Sequence, residues 1–442
     1  MKRTETTDGG HSCPPREVGT IPTEIGMIAA DWRIAPLDAV CEPPQYGFTA
    51  SAEAKGNVRF LRITDITDSG VKWPTVPFCE CPEKELGKYR LAPGDIVFAR
   101  IGATTGKSYL ITNPPPSVFA SYLIRVRAKP EIYPEFLSQF FRSDAYWRQV
   151  DAQKNANLKK GVSGSVLKTL LVPVPPLAEQ RKIAGVLGMV QRAMEQQEWL
   201  LALTAELKKA LLHQLFTQGL RGEPQKQTDL GPVPESWEER ALEQAGDVVY
   251  GIQAAVAANL KPIGTKILTN KNITLDGTIA LDSINYFVLK TRRHHQTVLK
   301  KGDLLFNWRS GSKEHVGKTA YFDLDGEFTH SSFILRVRPH NEVTGRYLFY
   351  YLNFLRESGY FVKTQTFSVN AKFNKSAINR LPTYLPGEDE RRDIVTALDA
   401  VAKKIDVLLA KKHLIEDLFR TLLHQLMTAQ IRVNDLDLEG FL

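Results

Sequence analysis

PPLAEQRKIAGVLGMVQRAMEQQEWLLALTAELKKALLHQLFTQGLR, from Pro175 to Arg221, reads as one very long helix. Ile183, Leu187, Val190, Met194, Leu201, Leu211 and Leu215 fall on alternating four- and three-residue steps, the seam along which one helix packs on another. Gln197, Thr204 and Lys208 are the missing steps. Neither Pro nor Gly interrupts Met189 to Gln218, and Gly219 then supplies the left-handed residue that closes many helices. At 1.5 Å per residue, about 40 residues make a rod of roughly 60 Å, far longer than a typical globular helix. Such a rod needs a partner.

The partner lies in the same chain. A shift of 211, which takes Ile183 to Ile394, maps the seam and its gaps onto Ile394, Leu398, Val401, Ile405, Leu408, Lys412, Ile415, Phe419, Leu422 and Leu426, apolar except at Lys412. The helix ends match almost letter for letter, LLHQLFTQGLR from Leu211 against LLHQLMTAQIR from Leu422. Upstream, Thr23 to Trp32 (TEIGMIAADW) parallels Thr228 to Trp237 (TDLGPVPESW) at a shift of 205, so the whole chain is a duplication with small insertions.

A chain of 442 residues expects two or three domains. Its net charge of +8 favours an acidic partner, and with no transmembrane-length apolar run that partner is nucleic acid before membrane. The four cysteines, Cys13, Cys41, Cys79 and Cys81, cluster in the first hundred residues behind a polar start with no signal peptide, which reads as a reduced, cytoplasmic protein. Cys79 and Cys81 lack a second Cys or His pair at ligand spacing, so no metal site is expected.

Within each half, short β-branched and aromatic runs alternate with turn signals. The clearest pair is LAPGDIVFARIGATTGKS from Leu91 and LKKGDLLFNWRSGSKEHVGKT from Leu299: a Gly-Asp turn, a short strand, then a basic Gly-rich loop. SYLIRVR at Ser121 and SFILRVR at Ser332 follow as alternating strands, with Arg125, Arg127, Arg336 and Arg338 turned from the apolar face. Basic loops rich in amides and hydroxyls, Ala152 to Ser165 and Lys363 to Ser376, suit either a polyanion or solvent. The expected fold is mixed α+β: two tandem-repeated globular domains separated by two long antiparallel helices in a coiled coil. Only a short linker separates the first helix from the second domain, so the second helix must run back along the first. The result is a dumbbell with approximate twofold symmetry, suited to a split DNA site with unlike halves.

Four marks together, the Trp32 and Trp237 entry segments, the two GD-strand-GK stretches, VPVPPLAEQRKIA from Val172, and the LLHQL helix ends, resemble the specificity subunits of type I restriction-modification enzymes. The resemblance covers about Thr23 to Arg432. The polar start, with its Gly and Pro, reads as a flexible tail over 1–22, and the repeat together with the resemblance divides the rest into target-recognition domains over 23–177 and 230–387, spacer helices over 178–220 and 388–430, a linker over 221–229 and a tail over 431–442. The resemblance also implies that each domain reads half of a bipartite asymmetric DNA site while the helices set the gap and dock two methyltransferase subunits. A motor-nuclease subunit completes such a complex. S-adenosylmethionine, and ATP with magnesium, are expected on the partners, and this chain is expected to carry no catalytic residue, cofactor or metal. The second copy departs from the pattern, with YLPGEDERRDI where the first reads VPPLAEQRKI, and the first lacks the counterparts of Pro232 and Pro234.

Candidate DNA-contacting residues in the first domain are Arg59, Arg62, Arg100, Lys107, Gln153, Lys154, Asn157 and Lys159; in the second they are Lys266, Lys271, Arg309, Lys318, Gln365, Ser368 and Lys372. Glu179, Gln180, Arg181, Glu390 and Arg391 are candidate subunit contacts, or favourable charges at helix starts. The alternative function is a nucleotide-dependent DNA enzyme using the GKS and GKT loops. Gly102 to Ser108 (GATTGKS) has three residues between its glycines where a phosphate loop needs four, and Gly311 to Thr319 has five. Asn113 to Pro116 (NPPP) lacks the aromatic residue with which adenine methyltransferases stack a flipped base, and reads as a rigid turn. His294 and His295 lie among cations that would repel a metal.

Overall fold

The computed structural model describes residues 19–67, 70–156, 161–253, 260–261, 263–363 and 371–433. The chain divides into two compact units, one of residues 1–199 with 410–442 and one of residues 200–409. The long helices span Leu177–Gln218 and Glu388–Met427, so each unit takes part of both. The first ends where Gly219 adopts a φ of 65°, as its place after the seam anticipates.

In the first unit, a hairpin (Thr20–Thr23 with Gly26–Ala29) leads to strand Arg33–Pro36, which pairs antiparallel with Leu171–Val174 just before the first long helix. An antiparallel four-stranded sheet orders Ser108–Leu110, Ile96–Ala99, Leu123–Val126 and Gln45–Tyr46. A three-stranded sheet orders Ser117–Phe119, Val58–Leu61 and Phe78–Cys79. Alternation along Ile96–Ala99 explains how they pack: Ile96 and Phe98 join the core with Phe136, Phe140 and Tyr146, while Val97 joins Leu61, Phe119 and Leu123 on the other side.

The second unit repeats the plan. Its hairpin is Gln225–Thr228 with Gly231–Pro234, strand Glu238–Ala241 pairs with Pro382–Leu385, and the sheet orders Thr319–Tyr321, Leu304–Asn307, Ile334–Pro339 and Gly246–Tyr250. A further sheet orders Leu260–Lys261, Asn285–Phe287, Thr265–Leu268 and Phe328–His330.

Both sides of the main sheets are covered. Arg125 and Arg336 do face away from the main core, but each is only 5% exposed. Arg125 donates to the carbonyls of Arg90 (2.8 Å) and Lys88 (3.1 Å) and to the side chain of Gln45, and Arg336 donates to Gln296 (2.9 Å). The Gly-Asp turns serve the same layer. Asp95 accepts from Ala92 N–H (2.9 Å) and Arg127 Nε (2.6 Å), and Asp303 from Lys300 N–H (2.7 Å) and Arg338 Nε (2.7 Å).

The seams pack antiparallel within each unit. In the first, Ile183 and Leu187 share a core with Phe419, Leu423 and Leu426, and Lys412 Nζ lies 3.0 Å from Glu198, so the one polar step of the second seam has a charged partner. In the second, Leu212, Leu215 and Phe216 meet Ile394 and Leu398.

His330 is fully buried, with Nδ1 3.1 Å from the Thr297 carbonyl, and burial together with the nearby Arg336 charge pushes its pKa down to about 4. The unfolded chain protonates this group near its ordinary value while the folded chain resists. Its effect is therefore absent above pH 6.5, and stability falls as pH drops from about 6.5 towards 4, by on the order of 3 kcal/mol. A His330→Gln variant should flatten that slope in chemical unfolding between pH 7 and 5; an unchanged slope would assign it elsewhere.

Candidate nucleic-acid interface

The loop from Arg100 to Lys107 closes a β-hairpin, since Ser108 pairs with Phe98 and Gly106 N–H donates to Ala99 (2.9 Å). No helix begins there. The GATTGKS string thus lacks the strand-loop-helix setting whose N-terminal N–H groups hold a phosphate. Gly317 N–H donates to Asn307 (2.9 Å) in the corresponding second hairpin.

These loops sit beside the segments that open two short helices, Gly164–Thr169 and Lys375–Asn379. In the first unit, Val162 N–H donates to the Arg100 carbonyl (3.0 Å) and Gly164 N–H to the Tyr46 hydroxyl (2.9 Å). In the second, Phe373 N–H donates to the Trp308 carbonyl (2.6 Å) and Lys375 N–H to the Tyr250 hydroxyl (3.1 Å). Arg309 and Lys372 are opposed Cα partners in a two-residue antiparallel pairing. The backbone is the same in both places and the side chains are not.

What this backbone presents is cation on aromatic. The Arg100 guanidinium lies 5.0 Å from the Tyr46 ring centre, and Tyr122, whose carbonyl accepts from Arg100 N–H (3.0 Å), is 56% exposed. Arg309 lies 4.2 Å from Phe333 and 5.5 Å from Trp308, whose indole N–H donates to Ser332 (2.7 Å). Partly exposed rings beside guanidinium groups suit the stacking and charge of a nucleic acid. Tyr46, Tyr122, Trp308 and Phe333 were not among the residues expected to matter. Tyr122 and Phe333 were signalled by holding the same register in SYLIRVR and SFILRVR.

The remaining candidates are dispersed. Arg59 is half-buried against Phe78 (4.0 Å to the ring centre) and donates to the Val76 carbonyl, and Arg62 makes a two-point pair with Asp65. Lys107, Gln153 and Lys271 are exposed, and Lys266 lies 5.0 Å from the Phe328 ring. Lys154 lies in helix Asp144–Ala156. Asn157, Lys159, Gln365 and Ser368 fall outside the described residues. Lys318 is a correction: it is 5% exposed, its ammonium donates to the carbonyls of Asn270 (3.1 Å) and Ile273 (2.6 Å), and burial lowers its pKa. It ties the Asn270 turn to the hairpin and is unavailable to DNA.

Three of the proposed subunit contacts are also interior. Glu179, 3% exposed, accepts from Trp32 Nε1 (3.1 Å) and Arg432 (2.8 and 3.0 Å). Gln180 is fully buried, accepting from Tyr133 N–H (2.7 Å) and donating to Glu131 (3.0 Å) and Pro175 (2.9 Å). Glu390 is buried and accepts from Leu220 N–H (3.0 Å). Arg391 is half-buried, donating to Thr344 Oγ1 (2.7 Å) and Pro386 (3.0 Å), whereas Arg181 is exposed, its guanidinium 5.9 Å from the Tyr133 ring centre. The helices' exposed apolar side chains lie elsewhere: Trp199, Leu414 and Leu418 in the first unit, Leu203, Leu207 and Val407 in the second.

The family model for the type I restriction modification DNA specificity domain matches residues 30–200 and 234–417, both halves of the duplication. The chain belongs to this family. A putative type I restriction enzyme MjaX specificity subunit of Methanocaldococcus jannaschii is 25% identical over 430 residues, 93% of this chain and 96% of the relative. The type I restriction enzyme EcoKI specificity subunit of Escherichia coli is 30% identical over 129 residues, 28% of each chain. In fold, the chain is similar to a crystal structure of a type I restriction-modification S subunit from M. genitalium, with a TM-score of 0.55 at 13% identity over 90% of this chain and 96% of that one. A chain from a structural study of type I R-M complex assembly gives a TM-score of 0.55 at 19% identity, over 91% and 99%. In this specificity chain the two matched domains carry the two cation-aromatic clusters. Among the described residues, no helix is long and apolar enough to cross a membrane and no His, Cys, Asp or Glu group could hold a metal ion.

Proposed function

We propose that this chain is the DNA sequence-specificity subunit of a type I restriction-modification complex, each unit reading one half of a bipartite, asymmetric site. The observation that carries this is the pair of cation-aromatic clusters on one backbone plan with different side chains: Arg100 with Tyr46 and Tyr122 in one unit, Arg309 with Phe333 and Trp308 in the other. Equal scaffolds with unlike readers give a split site with unlike halves. Surface lysines and arginines supply phosphate contacts and a salt-dependent affinity, while the clusters supply discrimination at base edges.

The chain itself does no chemistry on this reading. Methyl transfer from S-adenosylmethionine belongs to two methyltransferase subunits, and ATP with magnesium to a motor-nuclease subunit. The exposed apolar side chains of the long helices, with Trp199 at 63% and Leu414 at 70%, are where methyltransferase subunits dock, because such area in water is covered in an assembly. The complex acts in the cytoplasm, where the buried free thiols of Cys41, Cys79 and Cys81 stay reduced.

The test is a methylome. Co-expressed with the methyltransferase encoded beside it, the chain should direct adenine methylation at a split, asymmetric motif. Exchanging residues 23–177 for those of another family member should change one half of that motif and leave the other. Methylation at an undivided motif, or methylation indifferent to this chain, would refute the reading.

A further inference from the structure

The two tyrosine hydroxyls at the clusters do the same job twice. Tyr46 ends the edge strand of one main sheet and Tyr250 the edge strand of the other. Each stands just before a glycine whose Cβ position lies 2.2 Å from a carbonyl oxygen, at Gly47 (Ala120 O) and Gly251 (Ser331 O), so in each unit the chain is pressed against the turn that carries Tyr122 or Phe333. From there each hydroxyl accepts an N–H at the opening of a short helix, Gly164 at 2.9 Å and Lys375 at 3.1 Å. The same segments donate to the strand-end carbonyls of Arg100 and Trp308. One phenol therefore bridges the two backbone pieces that border each cluster. The ring is also part of the cluster, under Arg100 in one unit and edge-on to Trp308 at 5.5 Å in the other.

We propose that Tyr46 and Tyr250 are positioning residues for base discrimination, each acting through its hydroxyl on its own half-site. This deepens, and rests on, the specificity reading. Without the hydroxyl, the helix-opening segment loses one of its ties, keeping its bond to the strand end and, in the second unit, the pairing of Lys372 with Arg309, and can shift relative to the guanidinium beside it. Base-edge recognition tolerates little displacement, whereas a phosphate contact tolerates more. Loss of the hydroxyl should thus relax sequence choice more than it weakens overall binding.

Tyr46→Phe and Tyr250→Phe keep the rings and remove only the oxygens. The readout is competition between duplexes carrying the mapped site and duplexes with single-base changes in either half, using the complex with its methyltransferase. Tyr46→Phe should reduce discrimination roughly tenfold in the half assigned to residues 23–177 and leave the other half unchanged, the scale on which one hydrogen bond counts. Tyr250→Phe should do the reverse, and both should keep a thermal unfolding midpoint close to wild type. A merely structural role would lower the midpoint or affect both halves alike, and either result overturns the proposal, as does unchanged discrimination in both variants. A wild-type complex with no preference for a split site would instead sink the specificity reading itself.

Discussion

Asp95→Ala should destabilise the first unit by about 3–5 kcal/mol, the cost of removing one partner from a buried ion pair. The carboxylate is 1% exposed and holds three things at once: the Ala92 N–H of the Gly-Asp turn, the two-point bond from Arg127, and the charge of Arg125 at 3.6 Å. Arg125 is buried, so the deletion leaves its guanidinium, whose pKa is already lowered by desolvation, with neutral acceptors and no carboxylate. Asp95→Asn keeps an acceptor for Ala92 and should cost less. Hydrogen exchange on the strands Ile96–Ala99 and Leu123–Val126 measures the loss unit by unit, and a change below about 1 kcal/mol would show that the layer between the sheets admits water.

Glu179→Ala should cost the same unit a similar 3–5 kcal/mol, by a different route. Glu179 accepts from Trp32 and Arg432, and Arg432 also pairs with Asp31 (2.9 and 3.0 Å), so residues 31, 179 and 432 are bound at one point. Alanine leaves the buried indole N–H without its acceptor and the guanidinium with one carboxylate instead of two. Glu179→Gln should recover the indole bond but not the charge. Combining Glu179→Ala with Arg432→Ala should cost less than the sum of the single changes, because they remove one interaction. Strict additivity would mean that the pair contributes nothing beyond packing.

Much of the fold was legible because helical periodicity over 40 residues and a duplication at shifts of 205 to 211 are long-range signals carried in every local string. The first long helix was read over 178–220 and spans Leu177–Gln218, the second over 388–430 and spans Glu388–Met427. Charge in the candidate site was harder to read, because a charged letter looks the same on a surface and in a buried layer. Lys318 and Lys107 occupy matching hairpin positions, yet the turn at Asn270 to Ile273 offers Lys318 two carbonyls and draws it inside. Glu179 and Gln180 stand at a helix start, where acidic and amide residues are common for reasons of the helix dipole, and nothing local showed that Trp32, Tyr133 and Arg432 converge there. The aromatic half of each cluster, Tyr46, Tyr122, Trp308 and Phe333, carries no mark in the sequence that separates it from the Tyr, Trp and Phe that fill the core of a strand.

The departure of the second copy from the first at the helix start has a consequence for modular exchange. Gln180 grips main-chain atoms only, Tyr133 N–H and the carbonyls of Glu131 and Pro175, and every residue except proline at 133 presents the same groups. Arg391, in the matching place, reaches the side-chain hydroxyl of Thr344. Through this position the first joint asks nothing of a guest domain's side chain at 133, and its demands fall on the indole of Trp32 and the carboxylate of Asp31, while the second asks its guest for a hydroxyl at 344. Each socket is thus keyed, the first by an aromatic and an acid, the second by a hydroxyl.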